Sequence, residues 1–145
     1  MAAWNSTLIE VQVLKLDRQL IHLRCRFPRE GWFCITALYA IPSSSHKQIL
    51  WNSLHGFASS MELPWVVVGD FNNIANLSER TGGLGGTEAR CSLFFDRIQA
   101  CNLMDLGAFG PKFTWRGPKL SGGRRLFERL DRAIANGEFL SFFSE

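Results

Sequence analysis

Leu63-Pro-Trp-Val-Val-Val-Gly-Asp-Phe-Asn72 is the stretch on which the reading of this chain turns. Pro64 opens it, Trp65 to Val68 form an apolar run, and Gly69-Asp70 ends it abruptly. A short continuous run of this kind describes a strand buried on both faces. In an α/β protein such a strand delivers the next residues to a sheet end, where loops and sites gather. Gly69 allows close backbone approach. Asp70 and Asn72 are two residues apart, so in extended geometry they point the same way. A carboxylate beside a carboxamide suits phosphoester hydrolysis: the first can orient or deprotonate water, the second can donate hydrogen bonds to phosphate oxygens. An ordinary Asp/Asn turn after a strand accounts for the same spacing.

Upstream, residues 7–16 alternate Ile9, Val11 and Val13 against Glu10 and Gln12, a period-two strand. Residues 19–27 repeat the pattern, with Ile21, Leu23, Cys25 and Phe27 on one face and His22, Arg24 and Arg26 on the other. Asp17-Arg18 makes the turn of a hairpin between them. Trp32 to Tyr39 is a second nearly continuous apolar run and reads as a central strand. Pro42 and three serines break it. Ser44 or Ser45 caps a helix to about residue 60, with Ile49, Leu50, Leu54, Phe57 and Ala58 as its apolar stripe.

Downstream, residues 75–86 form a loop rich in glycine, without the lysine of a phosphate-binding P-loop. Thr87 can cap a second helix through about Cys101, with Phe94, Ile98 and Cys101 facing inward. Short strands are predicted at 103–106, 113–116 and 126–134, with Gly122-Gly123 turning between the last two. Strands, helix, strand, helix, strands is the order of a mixed α/β structure with helices packed on a sheet.

The composition fits a globular domain: of 145 residues, 46% are hydrophobic and 20% charged, with 12 Phe and 5 Trp to build a core. The net charge of +3 is too small to identify a nucleic-acid binder, but the basic residues cluster. Lys112, Arg116, Lys119, Arg124, Arg125, Arg129 and Arg132 face only Glu128 and Asp131 in the same stretch. That is a surface an anionic polymer would favour, or a solvated loop. The four cysteines form no C-x-x-C pair, and no histidine stands at zinc-finger spacing. Cys25 and Cys34 read as small buried hydrophobes, consistent with a reducing, intracellular setting. No secretory leader is recognisable at the start, and no stretch reaches the roughly 20 apolar residues of a membrane span.

Three further places could carry chemistry. Tyr39 ends a buried strand and could offer its hydroxyl to a phosphate, although a core tyrosine is the commoner use. In Phe113-Thr114-Trp115, Thr114 could offer a hydroxyl, and Trp115 either packs in the core, the favoured reading, or stacks on a base. Asp131, within Arg129-Leu130-Asp131-Arg132, is either a surface ion-pair partner of its arginines or a carboxylate aimed into a cleft.

The order and spacing of these segments resembles the endonuclease/exonuclease/phosphatase superfamily. The surrounding phrases, residues 63–72, Gly110-Pro-Lys-Phe-Thr-Trp115 and Glu128-Arg-Leu-Asp-Arg-Ala-Ile-Ala-Asn136, resemble its plant LINE-type retrotransposon branch. The resemblance covers essentially the whole chain. It implies two packed β-sheets flanked by helices, here a partial two-sheet sandwich, and divalent-metal-assisted phosphodiester cleavage, usually with magnesium, acting on DNA. By position it implies that Asp70 orients or activates the attacking water, Asn72 holds the scissile phosphate, and Tyr39 contacts that phosphate or the leaving oxygen. Asp131 would orient the family's catalytic histidine, and Thr114 and Trp115 would line the wall beside the DNA. Apart from the resemblance, the basic stretch from Lys112 to Arg132 offers Arg124 and Arg125 as candidate contacts to a nucleic acid. The family's metal-binding Glu would precede Met1, and its Ser-Asp-His segment would lie beyond Glu145. Residues 1–145 therefore read as the middle of one such domain, with no metal ligand assigned and catalysis impaired. The other readings are a non-catalytic nucleic-acid-binding remnant and a superfamily phosphoesterase acting on a lipid or small phosphoester.

Overall fold

The computed structural model describes residues 3–83, 88–120 and 122–144. Its elements run β1 (Glu10–Leu16), β2 (Leu20–Arg26), β3 (Trp32–Tyr39), α1 (Ser44–Ala58), β4 (Trp65–Asp70), β5 (Arg80–Thr81), α2 (Glu88–Ala100), β6 (Met104–Asp105), β7 (Trp115–Lys119), β8 (Arg125–Glu128), β9 (Asp131–Ala135) and α3 (Gly137–Phe142). Six strands form one sheet in the order β1-β2-β3-β4-β9-β6, and three form a second in the order β5-β8-β7.

The β1–β2 hairpin forms as its alternation requires. The Asp17 carboxylate accepts the amides of Gln19 at 2.8 Å and Leu20 at 3.1 Å, which closes the turn. β3 and β4 run parallel, so a crossover must join them, and α1 supplies it. Its cap is Ser43, whose side chain accepts from the His46 amide, one residue before the expected position. The stripe differs too. Leu50, Trp51 and Leu54 are buried, while Ile49 stands out at 59% exposure. Trp51 lies on the opposite flank of Leu50 from Ile49, and the larger apolar side chain takes the inward side.

Leu20, Cys34, Leu38, Trp65, Val67 and Ile134 cover the inner face of the large sheet against α1 and α2. Phe94, Ile98 and Cys101 face inward as expected, and all four cysteines are free and buried. The proposed cap Thr87, like Gly85 and Gly86, lies outside the described residues. The opposite sheet face carries Ile21, Leu23, Ile35, Ala37, Val68 and Ala133, all half-buried. At one end of that face, Phe33 packs on Phe142 and Phe143 of the α3 region.

In β2 it is the polar phase that enters the core. His22 stacks on Phe57 with ring centroids 4.1 Å apart, and its Nδ1 lies 2.7 Å from the Thr36 hydroxyl, which also accepts the Trp65 indole N–H at 2.9 Å. Burial, with a smaller contribution from the Lys15 charge, lowers its pKa to about 4.

The strand expected at 126–134 is two strands in two sheets. The chain leaves the small sheet after Glu128 and enters the large one at Asp131. Arg129 and Leu130 make the passage: the Arg129 amide donates to the Glu79 carbonyl at 2.9 Å, and the Leu130 carbonyl accepts from Phe71 at 3.0 Å. The strand expected at 113–116 is displaced to Trp115–Lys119. Gly122 and Gly123 do turn the chain between β7 and β8, both at positive φ.

Candidate active site at the end of the large sheet

Tyr39, Asp70 and Asp131 stand in one rank across three neighbouring strands. Tyr39 is in register with Asp70 on the parallel β3–β4 pair, and Asp70 with Asp131 on the antiparallel β4–β9 pair. Gly69 makes this possible. It has φ +143°, and a Cβ there would fall 2.0 Å from the Leu38 carbonyl oxygen. Any other residue would drive β4 away from β3 just where their ends meet. Beneath the rank, buried Phe71 packs on Phe94 and Trp51 at centroid distances of 5.6 and 6.0 Å.

Asn72 reaches the same place by a route other than strand alternation. It has φ +47°, a left-handed conformation that asparagine tolerates. Its amide donates to Asp70 Oδ1 at 2.8 Å, so the Asp/Asn turn is real, and its carboxamide Nδ2 donates to the Ala40 carbonyl at 2.7 Å. The Ala40 amide returns to the Asp70 carbonyl at 2.8 Å. The turn thus laces the end of β3 to the end of β4, with one Nδ2 hydrogen left for another acceptor.

Lys47, which the sequence reading did not single out, completes this arrangement. Its ammonium donates to the Asn72 carbonyl and to Asn73 Oδ1, the latter at 2.7 Å. Only its place one helical turn after the Ser43 cap could have marked it. Burial holds its pKa below the usual lysine value, and Arg90 and Arg97 push the same way against Asp70 and Glu128.

The two carboxylates of the rank are like charges directly opposite on paired strands, a destabilising arrangement. Burial raises the Asp70 pKa, the Asn72 amide opposes that shift, the Asp131 charge adds to it and the Lys47 charge opposes it, with a net rise. Asp131 is exposed and does not pair with its flanking arginines. Tyr39 is 53% exposed and is not a core tyrosine.

Magnesium requires several oxygen ligands at near-octahedral positions. Among the described residues no group of three or more His, Cys, Asp or Glu side chains is placed to hold a metal ion. Asp70, Asp131 and a carboxamide already engaged with the backbone do not by themselves make up such a site. His22 is in the core and His46 is occupied at the Ser43 cap, its Nδ1 2.5 Å from the serine hydroxyl.

Thr114 belongs to the rank through its oxygen, which accepts the amides of both Leu130 and Asp131 at 3.0 Å. It holds the start of β9 in place. Trp115 is 38% exposed, not core, and lies over Gly117 of its own strand, where a Cβ would come within 2.4 Å of the indole. Arg124 and Arg125 sit at the far end of the β7–β8 hairpin, and Arg125 donates to the Gly117 carbonyl at 3.3 Å. No hydrogen bond or ion pair joins either to Tyr39, Asp70 or Asp131 among the described residues.

The basic stretch divides. Lys112, Arg116, Lys119 and Arg124 are exposed, whereas Arg129 and Arg132 turn inward. Arg132, whose side chain is fully buried, reaches Glu79 at 2.6 Å and Asp105 at 2.5 Å and lies 5.1 Å from the Phe94 ring centre. Arg129 reaches the same two carboxylates at 3.0 and 2.8 Å. Burial raises the pKa of Glu79 and Asp105, but hydrogen bonds from Arg132 and the Ala75 amide to Glu79, from Arg129 and the Gly107 amide to Asp105, and the charges of the two arginines outweigh it, and both end below the usual carboxylate values.

No family model and no curated protein matches the chain in sequence. Solved structures do match in fold. The endonuclease domain of TRAS1, a telomere-specific non-LTR retrotransposon, superposes with a TM-score of 0.67 at 15% identity, over 90% of this chain and 58% of that one. A β-hairpin deletion mutant of the beta toxin of Staphylococcus aureus gives 0.51 at 13% identity, over 83% of this chain and 44% of that one. The catalytic domain of human Nocturnin with bound sulfate gives 0.48 at 15% identity, over 90% and 49%. The fold is a mixed α/β arrangement of two sheets and helices matching the endonuclease/exonuclease/phosphatase type. The chain spans little more than half of the TRAS1 domain and less than half of the toxin.

Proposed function

We propose that this chain is the middle portion of a retrotransposon endonuclease domain of the plant LINE type, whose complete form cleaves DNA phosphodiesters with magnesium. The observation that carries this reading is the rank of Tyr39, Asp70 and Asp131 at adjacent strand ends, with Asn72 laced into it, in a fold shared with the TRAS1 endonuclease domain. In this reading the Asp70 carboxylate holds the attacking water, Asn72 uses its remaining N–H on a phosphate oxygen, Tyr39 offers its free hydroxyl to the phosphate or the leaving oxygen, and Asp131 orients a histidine. Trp115 and the exposed cations of the β7–β8 hairpin flank the DNA. The family's metal-binding Glu and its histidine lie outside these residues. A metal supplies several kcal/mol of charge stabilisation to such a transition state, so the 145 residues alone are impaired.

Purified chain incubated with supercoiled plasmid and magnesium tests the reading. Nicking at background is expected, as is restored nicking when flanking segments carrying the Glu and Ser-Asp-His motifs are added. Loss of that restored activity in Asp70→Ala completes the case. Robust nicking by the chain alone, abolished by Asp70→Ala, would overturn the impairment. Faster turnover of a small phosphoester than of DNA by the restored form would move the substrate from DNA to small molecules.

A second reading has its own support. The exposed set Lys112, Arg116, Lys119 and Arg124, with Trp115 at 38% exposure beside it, suits a non-catalytic nucleic-acid-binding remnant. It requires salt-dependent, sequence-indifferent DNA binding that weakens in Arg124→Gln/Arg125→Gln.

A further inference from the structure

The loop between β6 and β7 leaves the large sheet at the end where the carboxylate rank stands. β6 runs antiparallel to β9, with Asp105 in register with Ile134, and the Leu106 amide then donates to the Ala133 carbonyl at 3.0 Å. Asp105 also holds Arg129 and Arg132. Where the loop returns, the Thr114 oxygen accepts the amides of Leu130 and Asp131, and the Thr114 amide donates to the Glu128 carbonyl at 3.0 Å. Both feet of the loop therefore grip the stretch that contains Asp131. The loop carries two phenylalanines with different fates. Phe113 is half-buried at one foot, its ring centre 6.1 Å from that of Phe127 on β8. Phe109 is fully exposed. It stands between Gly107 and Gly110, both in the left-handed region with φ of 77° and 97°, and the Gly107 amide closes onto Asp105 at 2.8 Å. Lys112, three residues on, is exposed and keeps its ammonium 5.7 Å from the Phe113 ring centre.

We infer that Phe109 is a base-stacking residue, whose ring takes the face of a nucleobase in a DNA strand passing the Tyr39–Asp70–Asp131 rank, with Lys112 on the backbone of the same strand. A single exposed apolar side chain is ordinary on a protein surface. What sets Phe109 apart is its place. The fold spends hydrogen bonds and ion pairs on fixing both feet of this loop to the residues around Asp131, packs one aromatic ring there, and leaves the other wholly in water. Every base has a π-face, so an exposed ring with a cation close by in sequence binds a strand without reading its sequence. A phenyl ring can also wedge between base steps of a duplex. The inference deepens the nuclease reading and rests on it for the position of the strand.

Titration of the full chain into a single-stranded oligonucleotide carrying 2-aminopurine, at low salt, tests the contact through the fluorescence of that base. A saturable change is expected, retained in Phe109→Trp. Phe109→Ala and Phe109→Leu should each weaken binding about tenfold, the loss of one stacked base. The slope of affinity against salt should stay the same in both, because stacking releases no counterion. Lys112→Gln should instead reduce that slope by about one phosphate contact. Phe109→Ala should also leave the thermal midpoint where it is, and a fall of several degrees would show that the ring packs within the fold and overturn the inference. Absence of binding, or equal affinity in Phe109→Ala, overturns it as well. So does a dimer of the chain that Phe109→Ala dissociates with DNA binding intact, since the ring would then be a contact between copies. Plasmid nicking by the restored domain tests the nuclease reading separately. Phe109-dependent DNA binding with no nicking would sink that reading and leave the base contact standing.

Discussion

Two pairs of carboxylates lie close together in this fold and have opposite fates. Glu79 and Asp105 are gripped by Arg129 and Arg132 in a closed four-charge network, and both acids are held below their usual pKa values. Asp70 and Asp131 face each other across β4 and β9, and Asp70 is raised above its usual value. The residue types are the same, and Asp131 is next in sequence to Arg132. The partners differ: each acid of the first pair accepts a backbone amide and is held by two guanidinium groups, whereas Asp70 has a backbone amide, a like charge opposite, and a lysine spent mostly on carbonyl and amide oxygens. The closed network fixes the passage between the two sheets. The open pair stores unfavourable charge at a strand end, the arrangement expected where a group is kept for chemistry rather than stability.

Breaking the closed network should give the largest effect. Arg132→Met leaves Glu79 and Asp105 short of a partner and should cost about 3–5 kcal/mol in urea unfolding, the scale for removing one member of a buried ion pair. Asp131→Asn, one residue away, should cost less than about 1 kcal/mol or stabilise. Equal losses in the two variants would erase the distinction between the regions.

Acid titration separates the pairs by sign. Glu79 and Asp105 have lowered folded pKa values, so their contribution is present above the unfolded carboxylate range and is lost as pH falls through the folded values. Asp70 has a raised folded pKa, so its contribution is present below the unfolded value and is lost as pH rises through the folded one. His22 must be accounted for in the same experiment. With its folded pKa at about 4, the native state refuses a proton that the unfolded chain accepts, so stability falls between about pH 6.5 and about 4. That loss should approach about 3 kcal/mol. Carboxylate NMR should find Asp70 titrating above Asp105, and the reverse order would reject the contrast.

Thr114→Val tests the link between the regions. Two amides lose their acceptor, and about 1–3 kcal/mol should be lost, with amide exchange accelerating at Leu130 and Asp131. The smallest effect belongs to Asp70→Asn. The substitution keeps an oxygen for the Asn72 amide while removing the repulsion, so thermal unfolding should show a gain of up to about 1 kcal/mol.

How far each site residue was legible depends on how local its cause is. Asp70 is marked by an apolar run that must end in Gly-Asp, and the structure ends β4 there. Asn72 is marked by its place two residues after Asp70, but it reaches the site through a left-handed turn in place of strand alternation. The size of Trp115 argues for the core, yet β7 belongs to a small sheet with little to bury it against, and its ring covers a glycine instead. Glu79 and Asp105 carry no signal in the linear pattern, because the arginines that hold them lie 24 or more residues away, and Lys47 meets the Asn72–Asn73 turn across 25 or more.

Local chemistry sufficed for the hairpin turn at Asp17, the buried strands β3 and β4, the inward faces of Phe94 and Ile98, the glycine turn before β8 and the α/β class, because each follows from periodicity, capping or turn preference over a few residues. Tertiary structure decided the rest. It chose which phase of β2 enters the core, split residues 126–134 between two sheets, and turned Arg129 and Arg132 inward while leaving Lys112 and Arg124 in solvent. Those outcomes depend on burial and on charges brought together from distant segments. Free energies of that kind exist only once the chain has closed on itself.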